Sequence, residues 1–223
     1  MNKVQLFFLR GERTQYEKEL TDQMAKVEAL HKRTKELIDR IRCNAQPSKS
    51  NRTSERLTSS EEDSNERLRY VRALRDMASV TSDAAVVSFY KKLADVHESI
   101  AKQQETFLKQ TQTYCVNVLR KFADVSYVEL KKAYSAMESR KDAYDVARHK
   151  LKSCKPEEVE QRGQEAKVAQ TEFEKQANIV FELLQKMPDH EKEMAKAIWT
   201  YVRAESDYAK STHELIKQAP SAP

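Results

Sequence analysis

The sequence predicts an all-α protein, a long antiparallel three-helix coiled coil with kinked helices. Ala, Glu, Lys, Leu and Arg make up 103 of the 223 residues, which is typical of long helices and coiled coils. Only two glycines and five prolines are present, too few for glycine-rich phosphate loops or for a hairpin-rich β fold. Apolar residues also recur at steps of three and four, which indicates amphipathic helices. The low glycine count excludes most nucleotide-binding enzymes.

The first helix is predicted from Glu12 to about Cys43. A short apolar segment, residues 1–11, precedes it and ends at Gly11. A polar stretch rich in Ser and Thr follows at about 44–64 and predicts a loop insert. The apolar face of the helix consists of Tyr16, Leu20, Met24, Val27, Leu30, Thr34, Leu37 or Ile38, and Ile41.

The second long stretch begins near Asn65, with Leu68, Val71, Leu74 or Arg75, and Ala78 on one face, and a weak point or bend at 79–83. From Val86 to about Leu151 neither Gly nor Pro interrupts the pattern, so we expect one helix of about 67 residues, roughly 100 Å long. Its predicted seam consists of Val86, Tyr90, Leu93, His97, Ile100, Gln104, Phe107, Thr111, Tyr114, Val118, Phe122, Val125, Glu129, Ala133, Met137, Tyr144, Ala147 and Leu151.

Residues 153–158 predict a turn, because Pro156 and the acidic residues after it favour a new helix start. The last helix spans about 60 residues, roughly 90 Å, and Pro188 should kink it. Residues 218–223 are expected to be a tail or linker, so the helical domain covers 12–217. The seam of the last helix consists of Val159, Ala166, Phe173, Ala177, Val180, Leu184, Met187, Met194, Ile198, Tyr201, Tyr208 and Leu215.

Two long helices joined by a tight turn must lie antiparallel, and the shorter first helix covers only part of them. Large apolar residues also fall outside the minimal seam. If these residues were exposed, they would form an apolar patch, and such patches usually mark a protein interface. A homodimer is the simplest way to cover the patch. These surplus residues are Phe89, Val96, Leu108, Leu119, Phe181, Trp199 and Val202.

Positive charge is concentrated before the turn. Residues 140–155 hold six Lys or Arg and two Asp, although the whole chain carries only +5. Lys141, Arg148 and Lys155 share one position of a 3.5-residue register, with Lys152 on the same flank. This pattern favours a basic stripe, and the alternative interpretation is an ordinary solvated face of a coiled coil. A second basic stretch covers residues 26–56.

Several segments resemble the BAR domains of the amphiphysin and endophilin kind. Arg140-Lys141, Tyr144-Asp145 and the run 147–150 resemble the distal part of the family's second helix, whereas 182–188 resembles the kink in its third helix and 201–216 that helix's end. The resemblance covers about 12–217 and implies a crescent-shaped homodimer whose concave basic face binds curved anionic membranes. We expect Trp199 and Val202 in the dimer interface. The expected lipid-binding residues are Arg120, Lys121, Lys131, Lys132, Lys141, Arg148, Lys150, Lys152, Lys155 and Arg162.

Two segments depart from the family pattern. Residues 1–11 are too short for the amphipathic leading helix of several members, although their apolar side chains could form a small wedge or pack on the bundle. The 44–64 loop lies where endophilins place an insert, but it lacks an apolar face. Ser59 and Ser60 before an acidic run make this loop a candidate phosphorylation site, with an inert connector as the alternative.

No catalytic motif is present, and neither a cofactor nor a metal is expected. The five histidines are dispersed, and the three cysteines lie far apart without C-x-x-C spacing. Together with the absence of such motifs, the resemblance to BAR domains implies a cytoplasmic, peripherally membrane-associated scaffold that senses or generates curvature in membrane trafficking or remodelling. The alternatives are a coiled-coil adaptor or tether and a small-GTPase effector, both of which bind proteins. Nucleic acid is not an expected partner.

Overall fold

The structure is a computed structural model that describes residues 13–46, 57 and 65–223, with side chains described from residue 18 onward. Nearly all of these residues are helical, which confirms the predicted all-α coiled-coil class. The segment 1–11 and the loop residues 47–56 and 58–64, including Ser59 and Ser60, lie outside the described residues. The α-helices are α1 (Arg13–Ala45), α2 (Glu66–Val80), α3 (Ala84–Thr111), α4 (Asn117–Arg120), α5 (Tyr127–Ser153), α6 (Val159–Gln185) and α7 (Met187–Lys217).

The chain forms two compact units, and each contains parts of all three predicted long stretches. The distal unit contains the described residues up to 34 together with 121–192, and its largest contact is the antiparallel pair of α5 and α6. The proximal unit contains residues 35–120 and 193–223, and there α2 packs along α3. The names distal and proximal are used below for these two sets of residues only.

Side-chain caps explain where α2 and α3 begin. The Asn65 side-chain oxygen accepts hydrogen bonds from the backbone N–H groups of Arg67 and Leu68, at 3.0 and 3.4 Å. Asp83 caps α3 in the same way, 2.8 Å from the N–H of Ala85. Such caps satisfy donors that a helix start otherwise leaves unpaired. The predicted bend at 79–83 is therefore a complete break at 81–83.

The first helix extends two residues past the predicted end at Cys43, to Ala45. Its buried residues confirm most of the predicted face, since Leu20, Val27 and Ile41 are buried. Ala45 and Gln46, beyond the predicted end, are also buried. Leu57, the strong apolar residue of that loop, is only 5% exposed.

The long second helix is continuous, but two π-helical segments interrupt its α-helical geometry, at Gln112–Val116 and Lys121–Ser126. A π-helical turn contains about one residue more than an α-helical turn. One line of buried positions consequently runs at steps of four through this part, namely Thr111, Cys115, Leu119, Ala123 and Tyr127, and Val116 and Phe122 are buried beside it.

Between 112 and 126 the predicted seam is confirmed at Phe122, which is 2% exposed, but two other positions were wrong. Tyr114 and Val125, which were placed in it, are each 58% exposed. Leu108 and Leu119 were predicted to be surplus residues for a dimer interface, yet each is 1% exposed within the single chain. A strict 3.5-residue register cannot accommodate the additional residues of the π segments, which explains Tyr114, Leu119 and Val125. Leu108 precedes both segments and is buried together with Phe107 because the buried face of α3 is wider than a minimal seam.

The last long stretch is divided at Lys186, close to the predicted kink. Pro188 has no N–H to donate and cannot continue the hydrogen bonds of α6. At the break, the Lys186 N–H donates to the Leu183 carbonyl, three residues earlier, at 3.2 Å. Helix α7 then starts at Met187. Two seam positions were wrong: Leu183 is buried where Leu184 was predicted, and Val159 is 48% exposed.

Candidate functional site

One side of α5 lies against α1 in the distal unit. The ring of His31 stacks on that of Tyr127 with centroids 3.7 Å apart and planes 7° apart. One turn further along α5, the Lys131 ammonium is 4.0 Å from a carboxylate oxygen of Glu28 and 5.8 Å from the centroid of the Tyr127 ring. Tyr134 continues this side through a hydrogen bond with Thr21. The charge of Lys131 is therefore partly offset.

Another side of α5 packs on α6. Tyr144 stacks on Phe173 with ring centroids 6.3 Å apart. The side-chain amide of Gln176 donates a hydrogen bond to the Ala133 carbonyl at 3.1 Å. These contacts hold the two helices together and fix the orientation of the residues that precede the turn.

The predicted basic stripe lies along a single face of α5. Lys141, Arg148 and Lys152 are separated by seven and four residues, which are close to whole numbers of turns. The Arg148 guanidinium lies 5.7 Å from the centroid of the Tyr144 ring, so the side chain that packs against α6 also orients this cation. Lys152 is exposed at the end of the helix.

The turn after α5 presents a second exposed lysine. Ser153 closes the helix by donating a hydrogen bond to the His149 carbonyl at 3.0 Å. Lys155 then adopts an extended backbone before Pro156 opens a short 3₁₀ turn. Among the described residues, neither Lys152 nor Lys155 has an ion-pair partner. Both charges are therefore available to an external anion.

Not all of the predicted lipid-binding residues share this surface. Lys132 and Lys150 each lie nine residues, or two and a half turns, from Lys141, on the opposite side of α5. Lys121 is exposed within the second π segment. Arg120 belongs to the proximal unit. The sequence analysis grouped these residues because all of them are basic. Their positions around and along the helices nevertheless place them on different surfaces.

Arg162 lies in a network of its own on α6. Its guanidinium is 2.9 Å from a Glu165 oxygen and 3.8 Å from a Glu158 oxygen. The hydrogen bond with Glu165 is the main reason that the pKa of Arg162 is raised, and the same bond lowers the pKa of Glu165. Two neighbouring carboxylates therefore offset this positive charge.

The two residues predicted for a dimer interface lie on α7 in the proximal unit. Trp199 is 62% exposed and Val202 is 42% exposed in the single chain. The sequence reasoning missed a second stripe, on α2, where Tyr70, Met77 and Val80 are exposed at steps of seven and three. The sequence could have revealed this stripe, because its apolar residues lie outside the face formed by Val71, Leu74 and Ala78, which are buried.

The described residues were also compared with what a metal site, a membrane-spanning helix or a reactive cysteine requires. They contain no cluster of three His, Cys, Asp or Glu side chains placed to hold a metal ion. None of the helices described is long and apolar enough to cross a membrane. Cys115 is fully buried, and burial raises the pKa of its thiol to about 11, so it stays protonated at neutral pH.

Comparison with known proteins agrees with the helical architecture. The family model of the BAR domain matches residues 2–221, nearly the whole chain. No curated protein matches the chain. The family's domains are structural scaffolds that dimerise and bind lipid membranes. This match and the helical coiled coil described above show that the chain belongs to the BAR domain family.

Proposed function

We propose that the chain is a membrane scaffold in trafficking or remodelling, which senses or generates curvature as a crescent-shaped homodimer with a basic concave face. The family match supports the general role. The observation that carries the specific proposal is the exposure of Lys152 and Lys155 at the end of the α5–α6 pair, with no ion pair to any described residue. These two lysines, with Lys141 and Arg148, form the proposed membrane contact.

The energy available from this surface is sufficient for peripheral binding. A basic residue near an anionic membrane contributes about 1 kcal/mol, and the effect fades within a Debye length of about 8 Å at physiological salt. Four such residues in each subunit of a dimer give a ceiling of about 8 kcal/mol. Binding would therefore depend on salt and on both subunits, and would need no inserted apolar segment.

The exposed apolar side chains of the proximal unit support a dimer. Trp199 and Tyr70 belong to residue types that are enriched in protein interfaces, and they are 62% and 45% exposed in the single chain. A two-fold axis would cover such patches by pairing equivalent surfaces. Dimerisation doubles the number of basic contacts and so links the two features.

The test is co-sedimentation with anionic liposomes of several diameters, using wild type and Lys152→Glu/Lys155→Glu. We expect the variant to lose binding while circular dichroism shows unchanged helicity. The matched control is Lys167→Glu/Lys210→Glu, which changes the charge equally at exposed lysines outside the predicted site. The control should bind almost as well as wild type.

Two other results would redirect the assignment. Unchanged binding by the Lys152/Lys155 variant would return these lysines to an ordinary solvated face. A wild-type chain that fails to bind any anionic liposome would favour the coiled-coil adaptor or tether, or the small-GTPase effector, which bind proteins rather than lipid.

A further inference from the structure

Arg148 is the one arginine among the four residues of the proposed membrane contact, and a row of stacked rings restrains its side chain. Its guanidinium carbon lies over the Tyr144 ring, 5.7 Å from the ring centroid. Tyr144 is 8% exposed and stacks in turn on Phe173 of α6, with centroids 6.3 Å apart and planes 12° apart. The packing of α5 on α6 therefore restricts where this guanidinium can lie.

The positive charge of Arg148 is not offset by a neighbouring carboxylate. Asp145 is the nearest acidic residue along the helix, three residues earlier, but the two side chains form no ion pair. The face of an aromatic ring attracts a cation without taking up the in-plane hydrogen bonds of its N–H groups. The donors of Arg148 consequently remain available to an external anion.

Arginine and lysine recognise anions in different ways. The guanidinium presents parallel N–H groups that fit two oxygens of one anion, whereas the ammonium of lysine acts as a point charge. Lys152 is exposed one helical turn after Arg148, so its ammonium can approach an anion held at the guanidinium. A phosphate monoester suits this pair best, because it carries about 1.5 to 2 negative charges near neutral pH and three acceptor oxygens. A phosphodiester has fewer of both.

We propose that Arg148 and Lys152 form a subsite for the phosphate monoester headgroup of a membrane lipid. Two N–H groups of Arg148 bind two oxygens of the phosphate, and Lys152 binds the third. Tyr144 is a positioning residue, since it acts through Arg148 and does not touch the lipid. The inference rests on the proposed membrane function and adds a preference among anionic lipids, which a surface that recognises charge alone would lack.

The test compares two kinds of vesicle that have the same diameter and the same zeta potential. Both contain phosphatidylcholine; one also contains phosphatidylserine, and the other contains phosphatidic acid, which is a phosphate monoester. Co-sedimentation of the full chain should show about fivefold tighter binding to the vesicles with phosphatidic acid. Equal binding to both kinds overturns this proposal and leaves the membrane scaffold intact, whereas binding to neither kind overturns both.

Arg148→Lys keeps the charge but removes the paired N–H groups. It should reduce the preference for phosphatidic acid to less than about twofold. Arg140→Lys is the matched control, because it makes the same substitution at an exposed position of α5 outside the proposed contact. The control should retain the preference of wild type. A preference that survives Arg148→Lys, or that Arg140→Lys reduces equally, contradicts the proposal.

Two substitutions of Tyr144 test its positioning role. Tyr144→Phe keeps the ring and should keep the preference, whereas Tyr144→Leu removes the ring and should lower the preference to that of Arg148→Lys. The preference is a ratio of two affinities of one protein, so an unfolded fraction lowers both affinities and leaves the ratio unchanged. The double variant Tyr144→Leu/Arg148→Lys should show no further reduction. A preference retained by Tyr144→Leu would exclude Tyr144 as the positioning residue.

A final comparison distinguishes the lipid from other sources of the same phosphate group. Glycerol 3-phosphate and a dye-labelled phosphoserine peptide present a phosphate monoester without a membrane. Each should bind at least about tenfold more weakly than vesicles with phosphatidic acid, because only a charged surface engages the remaining lysines at the same time. A soluble phosphate or a phosphopeptide that binds as tightly as the vesicles would overturn the assignment to a lipid headgroup.

Discussion

The α5–α6 pair of the distal unit and, in the proximal unit, helix α2 and the part of α7 from Glu193 onward expose different kinds of apolar side chain. The distal pair exposes small aliphatic residues such as Val146 and Val168 among many charged side chains. The proximal helices expose Tyr70, Met77 and Trp199. Aromatic residues and Met are enriched at protein interfaces, whereas Lys and Glu are depleted there. The comparison supports the proposed apolar association of the proximal helices and the proposed charge-dependent binding of the distal pair.

The difference does not extend to the buried residues. Leu130 and Val180 in the distal unit are fully buried, and so are Ile100 and Ala94 in the proximal unit. Each unit therefore has a well-packed interior, and the chemical contrast lies on the surface. Variants can separate the two contributions, because core substitutions act on folding whereas surface substitutions act on association.

The largest effect is expected in the distal core. Leu130→Ala should lower the free energy of unfolding by about 2–5 kcal/mol, because it removes a fully buried side chain and leaves a cavity. Urea unfolding followed by circular dichroism measures the change. Val128→Ala on the same helix, where Val128 is 47% exposed, is the control and should change stability little. A small effect of Leu130→Ala would mean that the charged unit is loosely packed.

The next effect concerns association of the proximal unit. Trp199→Ala should weaken the proposed dimer by about 2–4 kcal/mol, as expected for a central interface residue. The stability of the single chain should change much less, because Trp199 is 62% exposed there. Sedimentation equilibrium measures the dimer and urea unfolding at low protein concentration measures the chain. A dimer unaffected by the substitution would remove Trp199 from the interface.

A smaller effect is expected from pH, through His97 in the proximal unit. Burial, and then the positive charge of Arg67, lower the pKa of His97; the Arg67 nitrogen lies 3.2 Å from Nδ1 of the ring. The unfolded chain regains the ordinary value of about 6.5 and binds more protons below it. The free energy of unfolding should therefore fall as pH drops below about 6.5 and level off below the lowered pKa.

His97→Gln tests this expectation, because it should reduce the loss of stability between neutral pH and pH 5 in urea unfolding. The control is His213→Gln, which replaces an exposed histidine of the same unit. If both variants show the pH dependence of wild type, His97 does not cause it.

The smallest effect on stability is expected at the distal basic surface. Lys152→Glu/Lys155→Glu should change the free energy of unfolding by no more than about 1 kcal/mol, because exposed charges contribute little to folding. Urea unfolding in low and high salt measures the change. A loss of several kcal/mol would mean that these lysines support the fold, and any loss of liposome binding would then have a structural cause.

The sequence determined the helical class and most element boundaries, because these depend on local chemistry. Composition and periodicity identified the three long stretches, and Pro188 marked the break near Lys186 through its missing N–H. The start of α2 follows from the side chain of Asn65, which caps the helix itself. Each of these signals acts within a few residues of the chain.

Only the tertiary structure decided which residues between 112 and 126 are buried and which faces of α5 meet neighbours. The π segments moved Leu119 into the core and Tyr114 out of it, because packing against other helices outweighs the regular helical hydrogen-bond pattern there. Likewise, Lys150 and Lys152 are two residues apart in sequence, but helical geometry points them to different sides. Local patterns specify helices, whereas the identity of each face depends on what packs against it.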